Sequence, residues 1–267
     1  MSELIAGLMI PPEVEAKLGE VTPLSPVEQL NRNPGLLQDE RVDCPRCLNR
    51  GYFAVLRDDG TLATVPCPCM EIRRSYRLLD QSGLRDLAER STFKAFSTPD
   101  EWTKLVKRKA VDYVRTGRGK WFYISGRPGS GKTHICTAIC RELISKGCPT
   151  RYLLWREEVP RLKALVNEPE EYERAMNELE RVPLLYIDDF FKGTVTDADR
   201  NLAFALLNAR YNDSRRRTIL SSELPLTTVR QIDPAISSRI KERAGTYVLD
   251  APVDQTNWRE KPCNGSP

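Results

Sequence analysis

Residues 126–133 read GRPGSGKT and match the pattern G-x-x-x-x-G-K-[ST] at every fixed position. The residues just before them, WFYIS at 121–125, are mostly aromatic or β-branched and predict a buried strand. Apolar residues then recur at helical spacing, namely Ile135, Cys136, Ile139, Cys140 and Leu143. A strand, a glycine loop and a helix in this order are the context in which the pattern predicts a phosphate-binding loop.

The residue types of this loop suit a polyphosphate ligand. Glycines at 126, 129 and 131 permit left-handed or tightly curved backbone, so that N–H groups can closely approach an anion. The helix N-terminus completes the cradle, Lys132 adds a point charge for the β- and γ-phosphates, and Thr133 adds a hydroxyl ligand for Mg²⁺. We therefore predict a nucleoside triphosphate site; a glycine-rich turn that matches by chance is the alternative.

Length and composition fit one α/β domain with a smaller unit beside it. The chain has 267 residues, of which 40% are hydrophobic and 29% charged, and its net charge of +4 does not by itself argue for nucleic acid. No apolar run approaches membrane-spanning length, and Glu3 stands where a signal peptide needs positive charge. We expect a cytoplasmic protein without membrane contact, whose eight cysteines are metal ligands or core residues.

Four of the cysteines form two knuckles, CPRC at 44–47 and CPC at 67–69. Between them, residues 51–56 and 61–65 predict two strands around the turn signal DDG. Two knuckles separated by a hairpin are typical of a zinc ribbon, although the second knuckle is C-x-C rather than C-x-x-C. We predict a structural Zn²⁺ held by Cys44, Cys47, Cys67 and Cys69; four thiols without a ligand are the alternative.

A strand ending in two carboxylates follows the glycine loop in the chain. Residues 184–187 read LLYI and predict a buried strand that leads into Asp188 and Asp189. We predict that Asp188 holds Mg²⁺ together with Thr133 or through water, and that Asp189 orients or deprotonates an attacking water. An acidic turn at the strand end is the alternative.

Elsewhere the chain alternates between further predicted strands and helices. Strands are predicted at 150–155 and 218–221. Helices are predicted at 12–18, 26–31, 71–90 (broken at Gly83), 100–115, 156–181 (one or two), 196–212 and 233–243. Basic residues cluster at 104–120 and 215–217, where solvated helix or loop surface is the commoner explanation and a DNA-tracking surface the rarer one.

Taken in order, these residues resemble the AAA+ ATPases of the bacterial and phage helicase-loader family, the DnaC/DnaI type. The resemblance runs from about residue 44 to 249. It rests on the cysteine knuckles with GY at 51–52, the glycine loop with His134, IDDFFKG at 187–193, SSE at 221–223 and ISSRI at 236–240. It implies an α/β fold: an AAA+ P-loop ATPase with a parallel sheet flanked by helices, preceded by a small zinc-ribbon-like domain, with no large C-terminal lid.

The resemblance also implies roles for single residues. Nucleotide-binding positions would be Gly126, Pro128, Gly129, Ser130, Gly131, Lys132, Thr133, His134 and Asp188. Catalytic positions would be Lys132, Asp188, Asp189, Glu223 in the sensor 1 position, and Arg239 as an arginine finger acting on the ATP of a neighbouring subunit. Arg243 is a second finger candidate or a salt-bridge partner. Asp189 is shorter than the Glu of many AAA+ proteins, which implies slow turnover, and Glu223 stands where Asn or Thr is common.

Cofactors and partners follow from the same resemblance: ATP, Mg²⁺ and Zn²⁺, a hexameric replicative helicase, single-stranded DNA, and further copies of this chain. Residues 1–70 would be a partner-binding region with the ribbon at 44–69, 71–95 a linker helix, 96–252 the ATPase domain and 253–267 a flexible tail. The implied function is ATP-dependent loading of a replicative helicase on single-stranded DNA during replication initiation. Alternatives are a transposition helper ATPase of the IstB type, a nucleotide-switched adaptor with negligible hydrolysis, and a small-molecule kinase, for which no arginine-bearing lid is apparent.

Overall fold

A computed structural model of the protein describes residues 25–37, 41–80 and 89–252. The chain divides into two compact units, Met1–Pro68 and Cys69–Pro267. None of the described helices combines the length and the apolar character that a membrane span requires. The helix predicted at 12–18 and the tail at 253–267 lie outside the described residues.

The first unit contains a short helix and an antiparallel hairpin. Helix α1 (Pro26–Arg32) begins at a capping box, in which Ser25 and Glu28 each accept a backbone N–H of the other. Strands β1 (Tyr52–Leu56) and β2 (Leu62–Pro66) pair with Leu56 opposite Leu62, which confirms the predicted hairpin. Asn31 joins helix and hairpin, because its side chain donates to the carbonyl of Ala54 at 2.8 Å and accepts from its N–H at 2.9 Å.

The second unit is built on a five-stranded parallel sheet. Its strands are β3 (Trp121–Ser125), β4 (Thr150–Leu154), β5 (Leu184–Asp188), β6 (Arg217–Ser222) and β7 (Val248–Asp250), in the order β4-β5-β6-β3-β7. Strands β3 and β5 are buried at every residue, as parallel strands with helices on both faces are. The predicted parallel α/β sheet is therefore confirmed.

Helices surround this sheet, and three of them begin at residues whose side chains cap the first turn. In chain order they are α2 (Cys69–Leu79), α3 (Glu101–Thr116), α4 (Lys132–Ser145), α5 (Trp155–Ala164), α6 (Pro169–Arg181), α7 (Asp197–Tyr211), α8 (Leu226–Ile232) and α9 (Pro234–Ala244). Asp100, Thr196 and Asp233 cap α3, α7 and α9 by accepting backbone N–H groups of the first turn. Of the helix predicted at 71–90, residues 81–88 lie outside the described part.

Three features differ from the sequence prediction. Helix α8 and strand β7 were not predicted, because seven and three residues respectively are too few to establish a periodic pattern. Trp155, predicted as the last residue of a strand, instead begins α5. Its ring lies edge-on to Phe190 and Phe191, with ring centres 4.9 and 5.6 Å apart, so tertiary packing overrides its strand propensity.

Arg210 of α7 is a fully buried cation whose partners are neutral oxygens. Its guanidinium donates to the hydroxyl of Thr218 and to the backbone carbonyls of Leu179, Glu180, Val182 and Arg217, at 2.5 to 3.0 Å. Two of these carbonyls belong to the last turn of α6, where helix carbonyls lack partners of their own and the helix dipole favours a cation. Arg210 thus joins α6, α7 and β6.

We expect Arg210→Met to lower the free energy of unfolding by about 3 kcal/mol or more, because several buried carbonyls would lose their donors. Urea denaturation of the purified variant measures the effect. The matched control is Arg200→Met on the same helix, whose ion pair with Asp197 is at the surface and which should cost at most about 1 kcal/mol. Equal stability of the two variants would contradict this structural role.

Candidate functional site

The glycine loop lies between β3 and α4, at the carboxyl end of the sheet. Gly126, Gly129 and Gly131 have positive φ angles of 153°, 78° and 86°, a region that side chains other than glycine rarely adopt. A Cβ atom on Gly126 would stand 2.8 Å from Cβ of Ala251, and one on Gly131 would stand 3.0 Å from the ring of Phe96. Both conformation and space therefore require glycine in this loop.

An open pocket of about 310 Å³ lies against the loop. It is lined by Pro128, Gly129, Gly131, Lys132, Thr133, His134, Asp189, Lys192 and Glu223. The structure thus brings residues of the loop and of the ends of β5 and β6 to one place, as the carboxyl edge of an open parallel sheet does for ligand sites. A larger groove of about 600 Å³ between α2 and α6 contains none of the predicted site residues.

Lys132 is mostly buried at the base of the pocket. Its Nζ donates to the carbonyls of Gly126 at 2.8 Å and Arg127 at 3.0 Å. Burial lowers the pKa of Lys132, and the carboxylates of Glu223 and Asp189 oppose that effect by favouring the charged form. The pocket therefore holds a poorly hydrated cation, which suits a phosphate ligand.

Asp188 is buried at the end of β5 and held by side chains from three other elements. Its Oδ2 accepts a hydrogen bond from Tyr152 at 3.1 Å, and its Oδ1 accepts from Ser221 and, at 3.4 Å, from Thr133. Burial raises the pKa of Tyr152, and the charge of Asp188 adds to this effect, so the phenol stays protonated and donates. A carboxylate beside a hydroxyl is a donor set that suits Mg²⁺.

We expect Tyr152→Phe to lower the affinity of the nucleotide complex for Mg²⁺ by about tenfold or more, because loss of a group that orients a metal ligand has an effect of this size. Titrating Mg²⁺ into protein mixed with a fluorescent ATP analogue measures the half-saturating concentration. Tyr172→Phe on α6 is the control, since Tyr172 is not among the side chains that donate to Asp188. Identical Mg²⁺ titrations of both variants and the unmodified protein would show that Tyr152 does not orient Asp188.

Asp189 and Glu223 face one another across Lys192. Nζ of Lys192 lies 3.1 Å from Oδ2 of Asp189 and 2.8 Å from Oε1 of Glu223. The hydrogen bond to Glu223 contributes most to raising the pKa of Lys192, so it remains a cation. Sequence reasoning did not assign Lys192 a role, although it belongs to the run IDDFFKG from which the resemblance was drawn.

Ser130 of the loop and His134 of α4 are two further residues of the predicted nucleotide site. Oγ of Ser130 is buried and has no hydrogen-bond partner among the described residues, so it can serve a phosphate oxygen. His134 places Nε2 3.2 Å from the carbonyl of Thr92, and its ring lies edge-on to Phe96. The positive-φ loop, the unsatisfied hydroxyl, the buried lysine and the Thr133–Asp188 pair together fit a Mg²⁺-bound triphosphate.

The two arginines proposed as fingers are not among the residues that line this pocket. Nε of Arg239 donates to the side chain of Asn208 at 3.0 Å, and its guanidinium lies 4.6 Å from the ring centre of Phe204. Arg243 donates to the carbonyls of Gly119 at 2.6 Å and Asp213 at 3.2 Å, which favours a structural role for it. Arg239 therefore does not contribute to the pocket of its own chain.

The four predicted zinc ligands meet in a separate cluster. The Sγ atoms of Cys44, Cys47, Cys67 and Cys69 all lie within 4.8 Å of one another, and all four residues are buried. The backbone N–H of Gly51 donates to Sγ of Cys47 at 3.3 Å, which stabilises negative charge on that sulfur. Four clustered thiols with no open ligand position fit a structural zinc site.

Comparisons with known proteins agree with the fold and with the loop. The family model described as IstB-like ATP binding protein matches residues 71–250. Phage-like element PBSX protein XkdC of Bacillus subtilis (strain 168) is 31% identical over 224 residues, which is 78% of this chain and 82% of that protein. Replicative helicase loader DnaC of Escherichia coli (strain K12) is 25% identical over 173 residues, 64% of this chain and 69% of DnaC.

Among solved structures, a crystal structure of DnaI superposes with a TM-score of 0.52 at 20% identity. The match covers 64% of this chain and 92% of that one, and at this identity it shows the fold alone. The segment matched by the family model contains the whole glycine loop, Asp188, Asp189, Glu223 and Arg239. The resemblance drawn from the sequence is confirmed for this part of the chain.

Proposed function

Because the chain belongs to the family of IstB-like ATP-binding proteins, we propose that it is an ATP-hydrolysing loader that places a replicative DNA helicase on single-stranded DNA during replication initiation. The single observation that carries the hydrolytic part is the shared pocket, in which Asp189 and Glu223 face Lys132 and Thr133. A cation and a hydroxyl opposite carboxylates are the groups that phosphoryl transfer to water requires.

Each group has a distinct part in the proposed reaction. The glycine loop and Lys132 would bind the polyphosphate, and Thr133 and Asp188 would hold Mg²⁺, which would neutralise phosphate charge. Asp189 orients the attacking water and accepts its proton, and Glu223, at the end of the neighbouring strand β6, completes the same wall of the pocket. Arg239 is proposed to supply positive charge to the site of a neighbouring subunit, so that hydrolysis depends on assembly.

We place helicase binding in residues 1–70. Apolar side chains on the hairpin of the first unit are exposed, with Leu56 at 62%, Leu62 at 53% and Val65 at 47%. Leu56 and Leu62 are directly opposite one another on paired strands, so they form one exposed apolar pair. An exposed apolar patch on a small unit is typical of a protein–protein contact.

Single-stranded DNA is proposed to meet the ATPase domain, 96–252, through basic residues of α3. Lys104, Lys107, Arg108 and Arg115 line one groove of about 480 Å³ on that helix. Part of this charge is already compensated, since Lys104 pairs with Glu101 at 2.7 Å. We therefore expect weak, salt-sensitive backbone contacts that become effective when several copies assemble on one strand.

The test uses the full chain, with an affinity tag, ATP and purified hexameric replicative helicases from several bacteria. The unmodified protein should retain one of these helicases on beads and transfer it to circular single-stranded DNA. The double variant Leu56→Ser, Leu62→Ser should lose the helicase. Val166→Ser is the matched control, because Val166 is an equally exposed apolar residue, at 62%, on the second unit. Retention of no helicase by the unmodified protein would overturn the proposal.

A transposition helper of the IstB type is the second candidate, favoured by the family model itself. The match to DnaC and the four-cysteine hairpin favour the loader instead. Adding transposases to the same pull-down separates the two, since each candidate binds one class of partner. A nucleotide-switched adaptor would bind a partner with ATP present yet show no turnover when single-stranded DNA is added.

We expect one Zn²⁺ per chain in freshly purified protein, and we expect Cys67→Ser to lose it, because three thiolates bind zinc more weakly than four. Elemental analysis measures the metal directly. Cys148→Ser is the control, since Cys148 is a half-buried cysteine outside the cluster. Absence of zinc from the unmodified protein would rule out a structural zinc in the ribbon.

A further inference from the structure

The turn from Asp189 to Lys192 has an unusual backbone. Asp189 and Phe191 have φ angles of 53° and 59°, in the left-handed region that costs a non-glycine residue about 1 kcal/mol or more. Hydrogen bonds hold the turn, from Phe190 N–H to the carbonyl of Ser221 at 2.8 Å and from Lys192 N–H to the carbonyl of Asp189 at 3.0 Å. Such strain persists where the surrounding structure enforces it, and it is concentrated at functional sites.

Aromatic packing enforces this conformation. Phe190 and Phe191 are 0% and 1% exposed, and their rings stack with centres 4.0 Å apart. Trp155 lies edge-on to both rings. Two buried side chains anchor the turn immediately before Lys192, so the lysine is held at the pocket by the core rather than by a mobile loop.

Lys192 lines the same pocket as the glycine loop. Its Nζ bridges Asp189, at the end of β5, and Glu223, at the end of β6, and its side chain is 29% exposed. An ammonium group has three donors, and these two ion pairs use two of them. The carboxylates it touches line the pocket together with Lys132 and Thr133. In the proposed ATP complex the terminal phosphate would lie among these groups, because Lys132 binds the phosphates and Asp189 orients the attacking water.

We propose that Lys192 is a specificity-determining residue that contacts the terminal phosphate and so makes the site prefer ATP to ADP. The proposal rests on the ATP site proposed above. ADP offers no group at this position, so the contact is available to ATP alone, and only such a differential contact can distinguish the two nucleotides.

The test compares the binding of ADP with that of a non-hydrolysable ATP analogue, both with Mg²⁺, by calorimetry. Lys192→Met should weaken the binding of the analogue about tenfold or more, which is the effect of losing one charged hydrogen bond. The same variant should change the affinity for ADP less than about twofold. Lys192→Arg keeps a cation in place and should retain most of the preference. Lys146→Met is the control, because Lys146 pairs with Glu142 at the surface and does not line the pocket, and it should leave both affinities unchanged.

Two results of this calorimetry would contradict the proposed role of Lys192. If a folded Lys192→Met protein loses equal affinity for ADP and for the analogue, or loses affinity for neither, the specificity role is overturned. Should Lys192→Met fail to fold, Lys192→Gln decides, because it also removes the charge: a larger loss of affinity for the analogue than for ADP supports the proposal, and an equal loss or no loss overturns it. Failure of the unmodified protein to bind either nucleotide would instead overturn the proposed function, and this inference with it.

Discussion

Arg239→Ala is expected to bind ATP with unchanged affinity and to hydrolyse it about 10³-fold more slowly, the lower end of the range for an arginine finger. The arginine lies outside the pocket of its own chain, so nucleotide binding within one chain does not depend on it. The charge that develops on the transferred phosphoryl group would be stabilised by this residue only at an interface between subunits. Steady-state turnover and calorimetric ATP affinity, measured on the same protein, separate the two effects.

Arg239 also packs against aromatic rings of its own chain, so the experiment needs a control for lost packing. Its guanidinium lies 4.6 Å from the ring centre of Phe204 and 5.5 Å from that of Tyr211, so its loss also removes packing. Arg230→Ala on the adjacent helix α8 is exposed and should leave turnover unchanged. Mixing Arg239→Ala with Asp189→Asn should restore some hydrolysis at mixed interfaces. No recovery at any mixing ratio would argue that each chain acts alone.

Lys132→Ala is expected to weaken the binding of ATP by at least about 100-fold. A buried cation that would contact two phosphates contributes more to affinity than one charged hydrogen bond does. The unfolding temperature of the variant should no longer rise when ATP and Mg²⁺ are added, whereas that of the unmodified protein should. Lys146→Ala is the matched control, since Lys146 lies at the other end of the same helix and pairs at the surface with Glu142. Unchanged ATP affinity in Lys132→Ala would remove the basis of the nucleotide site.

Features with a local signal were predictable from the sequence. The glycine loop, the strand before it and the helix after it lie within residues 121–145, so their spacing alone indicated a phosphate site. The cysteine knuckles and the turn between them likewise predicted a hairpin that brings four sulfurs together. The buried strand that leads to Asp188 was identified by its continuous apolar run.

Features that depend on distant parts of the chain were decided only by the tertiary structure. Arginine is usually found at the protein surface. Arg210 is buried only because α6 and β6 pack against α7 and offer their carbonyls to its guanidinium. The contact of Lys192 with Glu223 requires that β5 and β6 be neighbours in the sheet, although some 30 residues separate them in the chain. Periodicity and spacing report local conformation, whereas strand order and burial depend on the free energy of the whole packed domain. For this reason the sequence determined the phosphate loop and the cysteine cluster, and the structure alone decided which side chains from β5 and β6 share the pocket with that loop.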